Sequence, residues 1–431
     1  MTAVRVGLLG LGTVGSQVAE RLSREAFVTE RAGVPVELAR VLVRDLNKPR
    51  AYAPPRELLT TAPEEILDDP SIAVIVEVMG GMEPARSHIE HAIESGKAVV
   101  TANKEVMAHH GPTLLELAKA RGVDVYFEAA VGGGIPLIST FKIDLLANEI
   151  SRIEAVINGT TNFIIDRMAR DGVGFDAALA EAQALGYAEA DATYDVEGFD
   201  AVFKLCIMSS IAFRTRIHPA EVYREGIRDL DPVDFAYAAE LGYAIKLLAQ
   251  ARADGDEVEV RVHPTCVPTS HLLAAVHGAY NAVLIEGDLV GPVLLYGQGA
   301  GGRPTASAVV GDIIDLVFSM RKGISNRIAV DFSRAPRRRP MDQVRTAAYL
   351  RLHVADRAGV LAEVTRVLGE LGISISSIVQ KALIVEHAAA ELVILTHPAR
   401  ECDLLAARER LASLSSVYAV PAFLRALSEA R

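Results

Sequence analysis

Short apolar runs alternate with amphipathic segments of helical length along the first 140 residues. The run at residues 4–9 is interrupted only by Arg5 and Gly7, which is typical of a strand buried on both faces. One of the intervening helices is predicted between Pro112 and Gly122. Strands that alternate with helices in this way predict a parallel, doubly wound sheet that binds ligands at the carboxyl ends of its strands. The further predicted strands are residues 36–43, 72–79, 98–101 and 123–127.

A different pattern occupies residues 141–330, where strands and helices no longer alternate regularly. An acidic, turn-like segment at 186–198 precedes an almost wholly apolar helix at 199–213. A glycine-rich stretch, 296–305, precedes another helix. The sequence therefore predicts a separate α+β domain. Its other elements are a strand at 152–157, a polar helix cap at 158–162, strands at 258–267 and 282–295, and a helix at 306–320.

The last part of the chain is set off by a segment rich in charge and proline, residues 331–346, which reads as a linker. After it, strands and helices follow a βαββαβ order, typical of a ferredoxin-like domain. The helix at 305–330 is expected to pack back near the first domain. The predicted domains are residues 1–140, 141–330 and 347–425.

Composition and charge exclude several classes of protein. Half of the 431 residues are hydrophobic and 23% are charged, as in globular proteins. The net charge of −11 argues against general nucleic-acid binding, and no uncharged apolar run is long enough for a membrane span. The three cysteines are too scattered for a disulfide framework or a CxxC metal site. Because the N-terminus shows no signal-peptide pattern, we expect a reducing cytoplasm.

The first strand leads into Gly10-Leu11-Gly12-Thr13-Val14-Gly15, and a helix follows. In this setting G-x-G-x-x-G predicts a dinucleotide site. Gly10 permits the tight turn, Gly12 lets a pyrophosphate approach the backbone, and Gly15 allows the helix to pack closely on the strand. The alternative is a glycine-rich turn without a ligand.

Three further segments at predicted strand ends are candidates for ligand contact. Arg44 and Asp45 follow the second strand, where an acid favours NAD and an arginine favours NADP. Because Arg44 comes first and Lys48 follows nearby, we favour NADP without excluding NAD. The loops at 101–105 and 128–136 are polar or glycine-rich at strand ends, and the first of them is equally consistent with a helix cap or a site.

Asp200 is the only acid and Lys204 the only base in the apolar helix at 199–213. Four positions apart, they share one helix face. One interpretation is an exposed ion pair worth about 0.3–0.5 kcal/mol. The other is a desolvated lysine that exchanges a proton, with the preceding acids holding a cationic group of the substrate.

The motifs taken together resemble those of the homoserine dehydrogenase family over roughly residues 4–320. The matching segments, in order, are GLGTVG, TANKE, FEAAVGGGIP, NGTTNFI, LGYAEAD, GFDAVFK and GQGAGGRPTAS. The resemblance implies interconversion of L-homoserine and L-aspartate 4-semialdehyde with NAD(P), on the route to threonine, methionine and isoleucine. One departure is Ala192, where the family often has proline.

The resemblance also implies roles for individual residues. Lys204 would be the proton donor, Asp200 and Asp195 would orient the substrate, and Glu189 would bind its α-amino group. Lys104 would lie near the nicotinamide and the reacting oxygen. The implied cofactor contacts are Gly12, Thr13, Val14, Thr101, Lys104, Gly186 and Gly301, with Gly186 also near the substrate. A monovalent cation, expected to be sodium, would bind at Glu128, Val131, Gly133 and Ile135, through backbone carbonyls at all but Glu128.

The C-terminal part is similar to an ACT domain, because its D-x-x-G-V-L turn is matched at Asp356, Gly359, Val360 and Leu361. This implies a homodimer or homotetramer. Feedback by threonine and a purely oligomerising module both remain open. Two other functions also remain: a related NAD(P)-dependent dehydrogenase of another small amino acid or semialdehyde, and a non-catalytic amino-acid sensor.

Overall fold

Six parallel strands form the sheet that the apolar runs near the N-terminus predict. The computed structural model describes residues 3–325, 330–384 and 389–428. The strand order is β3-β2-β1-β4-β5-β6, so the chain runs outward from β1 in both directions. The elements are β1 (Val4–Leu9), α1 (Thr13–Leu22), α2 (Glu25–Ala32), β2 (Val36–Leu42), β3 (Leu59–Thr60), α3 (Glu64–Leu67), β4 (Ile72–Glu77), α4 (Ala85–Glu94), β5 (Ala98–Thr101), α5 (Lys104–Arg121) and β6 (Val125–Tyr126).

The middle elements follow the predicted order, but the structure adds helices at 175–184, 193–196 and 232–240 and strands at 223–224 and 243–254, and it divides the predicted strand at 282–295 into two. The strand β9 lies in a stretch whose apolar residues sequence reasoning did not assign. The elements are β7 (Ile150–Val156), α6 (Gly159–Asp171), α7 (Phe175–Ala184), α8 (Thr193–Val196), α9 (Phe199–Ala212), β8 (Tyr223–Arg224), α10 (Pro232–Glu240), β9 (Tyr243–Asp254), β10 (Glu257–Pro268), β11 (Tyr280–Gly287), β12 (Gly291–Gln298) and α11 (Gly302–Arg321).

The C-terminal elements have the predicted βαββαβ order, with two short strands added, one inside the predicted linker at 337–338 and one at 399–400. The elements are β13 (Arg337–Arg338), β14 (Arg345–Ala355), α12 (Val360–Glu370), β15 (Ile375–Ile384), β16 (Ala389–Thr396), β17 (Ala399–Arg400), α13 (Glu401–Ala412) and β18 (Val417–Ala426). The predicted fold class is therefore confirmed. Among the described residues, every helix is too short or too polar to cross a membrane.

Contacts divide the chain into two units that do not follow chain order. Unit 1 contains Met1–Ser151, Val202–Glu221 and Ile285–Ala335, and unit 2 contains Arg152–Ala201, Val222–Leu284 and Pro336–Arg431. The three predicted domain ranges stay a prediction. Part of the predicted helix at 305–330 lies outside the described residues, because residues 326–329 are not described.

The core of unit 1 lies between the parallel sheet and the helices α1 and α11. Val6 and Leu8 of β1 are fully buried and share one apolar cluster with Val18 of α1 and with Val309 and Ile313 of α11. The C-terminal helix of this unit thus covers a face of the sheet formed by the first residues of the chain. This packing agrees with the expectation that the later helix returns to the first domain.

The helix predicted between Pro112 and Gly122 ends before Gly122 as predicted, but it begins eight residues before Pro112, so the predicted start was wrong. Helix α5 starts at Lys104 and contains Pro112 in its interior. Asn103 caps it, because its side-chain oxygen accepts a hydrogen bond of 3.1 Å from the Val106 N–H. An internal proline costs a helix about 3 kcal/mol, more than one cap contributes, so the burial of the apolar face of α5 has to offset it. Lys104 is therefore a helical residue in the first turn, and not part of a loop.

Unit 2 is built on an extended sheet in the order β7-β9-β10-β18-β14-β16-β15. Strands β9 and β10 pair along their whole length as an antiparallel hairpin. Strand β18 joins β10 through the parallel pairs Thr265–Arg425 and Cys266–Ala426, so the C-terminal sheet continues the middle one. The sequence did not predict this continuity, because no local pattern reports which strand edges meet.

Candidate active site

The glycine turn between β1 and α1 has the geometry of a phosphate cradle. Gly10 has φ of +104°, a conformation that L side chains rarely adopt. A Cβ on Gly15 would lie 2.1 Å from the Gly10 carbonyl oxygen, so only glycine lets the helix pack here. A Cβ on Gly12 would meet no atom within 4 Å, so the backbone at Gly12 borders open space. The open space and the unsatisfied N–H groups at the start of α1 fit a dinucleotide pyrophosphate.

The second glycine-rich stretch lies against the first one, within unit 1. A Cβ on Gly302, the first residue of α11, would come within 2.9 Å of Thr13 Cγ2. Gly301 precedes it with φ of +117°. The sequence predicted this stretch as a possible second anion cradle but could not predict its contact with the glycine turn.

A cavity of about 460 Å³ opens beside the glycine turn and carries three basic side chains. Lys48, Arg50 and Arg303 line it together with Gly12 and Thr13. Arg44, the residue favoured from the sequence, is exposed just beyond β2 and is not among the residues that line the cavity. Sequence reasoning did not identify Arg50 and Arg303 as residues that line this cavity. Both lie far along the chain from the glycine motif, and no local pattern connects them to it.

A chain of hydrogen bonds holds the backbone just ahead of Lys104. It begins at the Glu77 side chain, at the carboxyl end of β4. The Thr101 hydroxyl donates to Glu77 Oε2 at 2.6 Å and accepts the Asn103 N–H at 3.0 Å. Asn103 also donates from its side chain to the Gly81 carbonyl at 2.8 Å. The Thr101 hydroxyl thus holds the loop ahead of α5 in place. This fixes Lys104 as the first residue of the helix.

Glu77 is fully buried, and sequence reasoning missed it. Its Oε1 accepts the Met79 N–H at 2.7 Å, so one carboxyl group organises the ends of two neighbouring strands. Burial raises the pKa of Glu77, and the hydrogen bonds from Thr101 and Met79 offset part of that rise. The signal in the sequence that could have identified Glu77 was its position as an acid at the end of an apolar run.

The loop at 128–136 is organised by the Glu128 carboxylate. Glu128 accepts backbone N–H groups from Leu137, Ile138 and Ser139 at 2.6 to 2.8 Å. Its own N–H donates to Asp312 at 2.9 Å, and burial followed by the charge of Glu128 raises the pKa of Asp312. These contacts keep the loop in one conformation within unit 1.

Three carbonyl oxygens of this loop accept no hydrogen bond from any residue that the structure describes, and they belong to Val131, Gly133 and Ile135. Of these three residues, Gly133 has φ of +55°. Free carbonyl oxygens beside a carboxylate have the chemistry of ligands for a hard cation. Within the described part of the chain, no group of three or more His, Cys, Asp or Glu side chains could hold a metal ion.

In unit 2, Asn158 joins the two acids that the sequence assigned to the substrate. Its side-chain amide donates to Asp195 Oδ1 at 2.7 Å and to Asp200 Oδ2 at 2.8 Å. Its side-chain oxygen accepts the Thr161 N–H at 2.7 Å and so caps α6. The predicted cap is confirmed, and the cap residue is also the bridge between two carboxylates, which the sequence did not predict.

The remaining acidic segment is open to solvent. Glu189 is exposed, and the only hydrogen bond that the structure gives it is from the Gln183 side chain to its backbone carbonyl, at 3.1 Å. Gly186, which follows α7, has φ of +77°. The fold therefore brings Asp195 and Asp200 together around Asn158 but leaves Glu189 apart from them.

Asp200 and Lys204 lie one turn apart on α9, and both are buried, with exposed fractions of 2% and 6%. The interpretation as an exposed ion pair on a half-exposed helix is therefore wrong. Lys and Asp are rarely buried without a partner or a function. The pair lies in the only helix of the sequence predicted to be apolar on nearly every side.

These features define a class of protein before any comparison is made. A doubly wound sheet with a phosphate cradle, together with a buried aspartate one helical turn from a buried lysine, is the arrangement of a nicotinamide-dependent dehydrogenase. Comparisons with known proteins agree. Residues 136–314 match the homoserine dehydrogenase family, residues 10–128 match the homoserine dehydrogenase NAD binding domain, and residues 348–415 match the ACT domain.

Individual relatives match along nearly the whole chain. A homoserine dehydrogenase of Synechocystis is 44% identical over 99% of this chain and 100% of its own. The crystal structure of a homoserine dehydrogenase from Thiobacillus denitrificans has a TM-score of 0.93 at 45% identity and covers 99% of this chain and 98% of its own. A hyperthermophilic archaeal homoserine dehydrogenase in complex with NADPH has a TM-score of 0.63 at 28% identity over 74% of this chain and 98% of its own.

The chain therefore belongs to the homoserine dehydrogenase family, a family of oxidoreductases, and carries an ACT domain at its C-terminal end. Its cofactor is a nicotinamide dinucleotide.

Proposed function

We propose that this protein interconverts L-homoserine and L-aspartate 4-semialdehyde, with Lys204 as the proton donor when the aldehyde is reduced. The observation that carries the proposal is the burial of Lys204 one helical turn from Asp200, which is itself tied to Asp195 through Asn158. When bound, the nicotinamide supplies or accepts the hydride. Lys204 would protonate the developing alkoxide and stabilise its charge.

The carboxylates of unit 2 are suited to an amino-acid substrate. Asp195 and Asp200 each accept a hydrogen bond from the Asn158 side-chain amide, which fixes the orientation of both carboxylates. We propose that they orient the substrate and that the exposed Glu189 binds its α-ammonium group on arrival. Lys104 would act near the reacting oxygen, in the position that Asn103 and Thr101 fix for it. The backbones of Gly186 and Gly301 would border substrate and cofactor.

We propose NADP as the preferred nicotinamide cofactor. Lys48, Arg50 and Arg303 line the cavity beside Gly12, and cations at this place would suit a 2′-phosphate. Gly10, Gly12, Thr13, Val14 and Gly15 would hold the pyrophosphate against the start of α1. Arg44 stays a candidate for the same phosphate from its exposed position after β2.

We propose a monovalent cation, sodium, at the loop of Glu128, Val131, Gly133 and Ile135. The three carbonyl oxygens described above support it, because each would otherwise lack a hydrogen-bond partner in the interior of the loop. Replacing sodium salts by N-methylglucamine salts should lower the melting temperature and the activity together, and added Na⁺ should restore both. Equal activity in the two salts would remove this part of the proposal.

For the ACT domain, we propose feedback by threonine within a homodimer or homotetramer in the cytoplasm. The turn at Asp356 and Gly359 supports a ligand role, since Gly359 has φ of +96° and is the N-cap residue of α12, whose first N–H groups have no partner within the helix. A dose series of L-threonine during turnover tests it. A rate that stays constant at every dose would leave the ACT domain as an oligomerising module.

The central experiment is NADP⁺ reduction with L-homoserine, measured for the wild type and for Lys204→Ala. We expect kcat to fall by about 10²–10⁴-fold with unchanged NADPH affinity. Lys119→Ala, an exposed lysine late in α5, is the matched control. Turnover of another amino alcohol at a higher kcat/KM would favour a related dehydrogenase, and an absence of turnover with every substrate would favour a sensor.

A further inference from the structure

Arg425 lies at the end of β18 and is almost fully buried in unit 2, with an exposed side-chain fraction of 2%. The proposed function gives it no role. Its Nε and Nη2 atoms donate to Glu401 Oε1 at 3.0 and 2.5 Å, and Glu401 is the first residue of α13. A buried arginine needs a charge partner, and Glu401 supplies one within the C-terminal part of the chain. The donors that remain need other acceptors.

Those acceptors belong to the middle part of unit 2. Arg425 Nη1 donates to the Glu225 carboxylate, and Nη2 donates to the Tyr223 hydroxyl at 2.9 Å. The Tyr223 hydroxyl in turn donates to Glu225. Burial alone would lower the pKa of Arg425, but the hydrogen bonds and charges of Glu401 and Glu225 outweigh it and raise the pKa, so the guanidinium stays charged. Arg425 therefore anchors residues 223–227, the β8 segment, to the C-terminal part.

The β8 segment also contacts the end of α8. The Ile227 N–H donates to the Val196 carbonyl at 2.9 Å, and the Arg224 guanidinium donates to the Glu197 carbonyl. Val196 is the last residue of α8, and Glu197 is its C-cap. A Cβ on Gly226 would lie 2.7 Å from the Val196 carbonyl oxygen, so only glycine allows this approach. The position of α8 therefore depends on the β8 segment.

The two acids assigned to the substrate lie next to these contacts in the chain. Asp195 directly precedes Val196 in α8, and Asp200 directly follows Phe199. The Arg224 Cζ atom lies 3.7 Å from the centre of the Phe199 ring, so the β8 segment also contacts the start of α9. Helix α8 has only four residues, and a helix this short takes its position from the contacts around it. The β8 segment thus holds a chain neighbour of each acid.

We propose that Arg425 is a positioning residue for the two substrate acids, Asp195 and Asp200. Its guanidinium fixes the β8 segment, and the β8 segment fixes the end of α8 and the start of α9, which carry these acids. This role rests on the proposed function, because that function gives the two acids their part in substrate binding. Since Arg425 acts on the placement of the acids and not on the proton or the hydride, its loss should weaken substrate binding and leave the chemical step nearly unchanged.

The test measures the steady-state kinetics of the full-length protein with L-homoserine at saturating NADP⁺. In Arg425→Gln, the KM for L-homoserine should rise by about tenfold, while kcat and the KM for NADP⁺ should stay within about twofold of the wild-type values. Arg425→Lys should restore part of the loss, because an ammonium group keeps the charge but has a single nitrogen for the acceptors on Glu401, Glu225 and Tyr223.

Gly226→Ala tests the same contacts from the other end and leaves the buried charges in place. The added methyl group would push the β8 segment away from the Val196 carbonyl, so the KM for L-homoserine should again rise with kcat nearly unchanged. In the double variant with Arg425→Lys, the two increases should combine to less than their product, because both act through the same segment. If Arg425→Gln does not fold, Arg425→Lys and Gly226→Ala together decide the matter.

Arg351 supplies the matched control. It is a similarly buried arginine of β14, 3% exposed, and it donates to Asp234 of α10 at 2.7 Å. Arg351→Gln removes a buried charge pair without changing the β8 segment. It should therefore lower the melting temperature and leave the KM for L-homoserine unchanged.

Three results would overturn the proposal. The first is a wild-type KM for L-homoserine in Gly226→Ala and in the folded Arg425 variants. The second is a fall in kcat at constant KM, which would place Arg425 in the chemical step. The third is an equal rise of KM in Arg351→Gln, which would mean that any loss of stability weakens binding. A wild type that does not turn over L-homoserine would contradict the proposed function, and the role of Arg425 would fall with it.

Discussion

Asn158 donates a hydrogen bond of 2.8 Å from its side-chain amide to the carboxylate of Asp200. The same amide donates to Asp195, and the amide oxygen caps α6. One residue therefore orients two acids and starts a helix. The two tasks use different atoms, so substitutions can separate them.

Asn158→Ser should keep the helix cap and lose the bridge between the acids. Serine caps helices as well as asparagine does, so the free energy of unfolding should fall only by the lost hydrogen bonds to the carboxylates, by about 1–3 kcal/mol. It has no amide to reach both carboxylates, so kcat/KM for L-homoserine should fall by about 10–100-fold. Asn158→Ala should lose both functions. Asn47→Ala, on the surface, is the control. Wild-type kcat/KM in Asn158→Ser would show that the bridge does not position the acids.

Gly12→Ala and Gly15→Ala should have opposite effects on binding and stability. A Cβ on Gly12 meets open space, so the free energy of unfolding should change little while the Kd for NADPH rises by tenfold or more. A Cβ on Gly15 meets the Gly10 carbonyl at 2.1 Å, so Gly15→Ala should destabilise the fold by about 3 kcal/mol. Chemical denaturation and fluorescence titration with NADPH measure the two quantities. Unchanged NADPH affinity in Gly12→Ala would argue against a phosphate at that glycine.

Lys48→Ala and Arg50→Ala should discriminate between the two dinucleotides. Each substitution removes a charged hydrogen-bond donor from the cavity beside Gly12, so the Kd for NADPH should rise by about tenfold. The Kd for NADH should change by less than about twofold, since NADH carries no 2′-phosphate. Arg44→Ala, outside the cavity lining, should have a smaller effect on NADPH. Equal losses for NADPH and NADH would mean that these residues contact a group that both dinucleotides share.

Glu77 should make stability depend on pH in a definite direction. Its pKa is raised by burial in the folded state, so the folded protein holds this proton more tightly than the unfolded chain does. The stabilisation is complete below the unfolded value of 4.5 and is lost as the pH rises through the folded pKa. Relative to the wild type, Glu77→Gln should therefore gain stability as the pH rises above 4.5.

The measurement is the free energy of unfolding of Glu77→Gln and wild type at several pH values. Glu57→Gln, at an exposed glutamate, is the control and should show no such trend. A constant difference between Glu77→Gln and wild type at every pH would show that Glu77 titrates alike in the folded and unfolded states.

The sequence predicted the elements that depend on neighbouring residues. The glycine turn, the buried strands and the apolar helix carrying Asp200 and Lys204 all follow from short-range patterns. Helix α5 was misjudged at its start, because Pro112 was taken as a first-turn residue, although the segment 101–105 was equally consistent with a helix cap or a site. Strand β9 was missed although Gly242 and Asp254-Gly255 at its ends are turn signals, and the second of them is typical of a hairpin.

Sequence reasoning missed the contacts between residues that are far apart in the chain. Glu77 reaches Thr101 across neighbouring strands, and Arg303 joins the cavity beside Gly12. Asn158 was identified only as a cap, because nothing near it in sequence indicates that Asp195 and Asp200 return to it.

By itself, the sequence determined most of the strands and helices and the glycine turn that suits a nucleotide, since periodicity and turn chemistry act over a few residues. Only the tertiary structure decided which acids share a hydrogen-bond donor, which cations line the nucleotide cavity and which acids pair with Arg425. Those relationships depend on strand order and register, and long-range packing selects them.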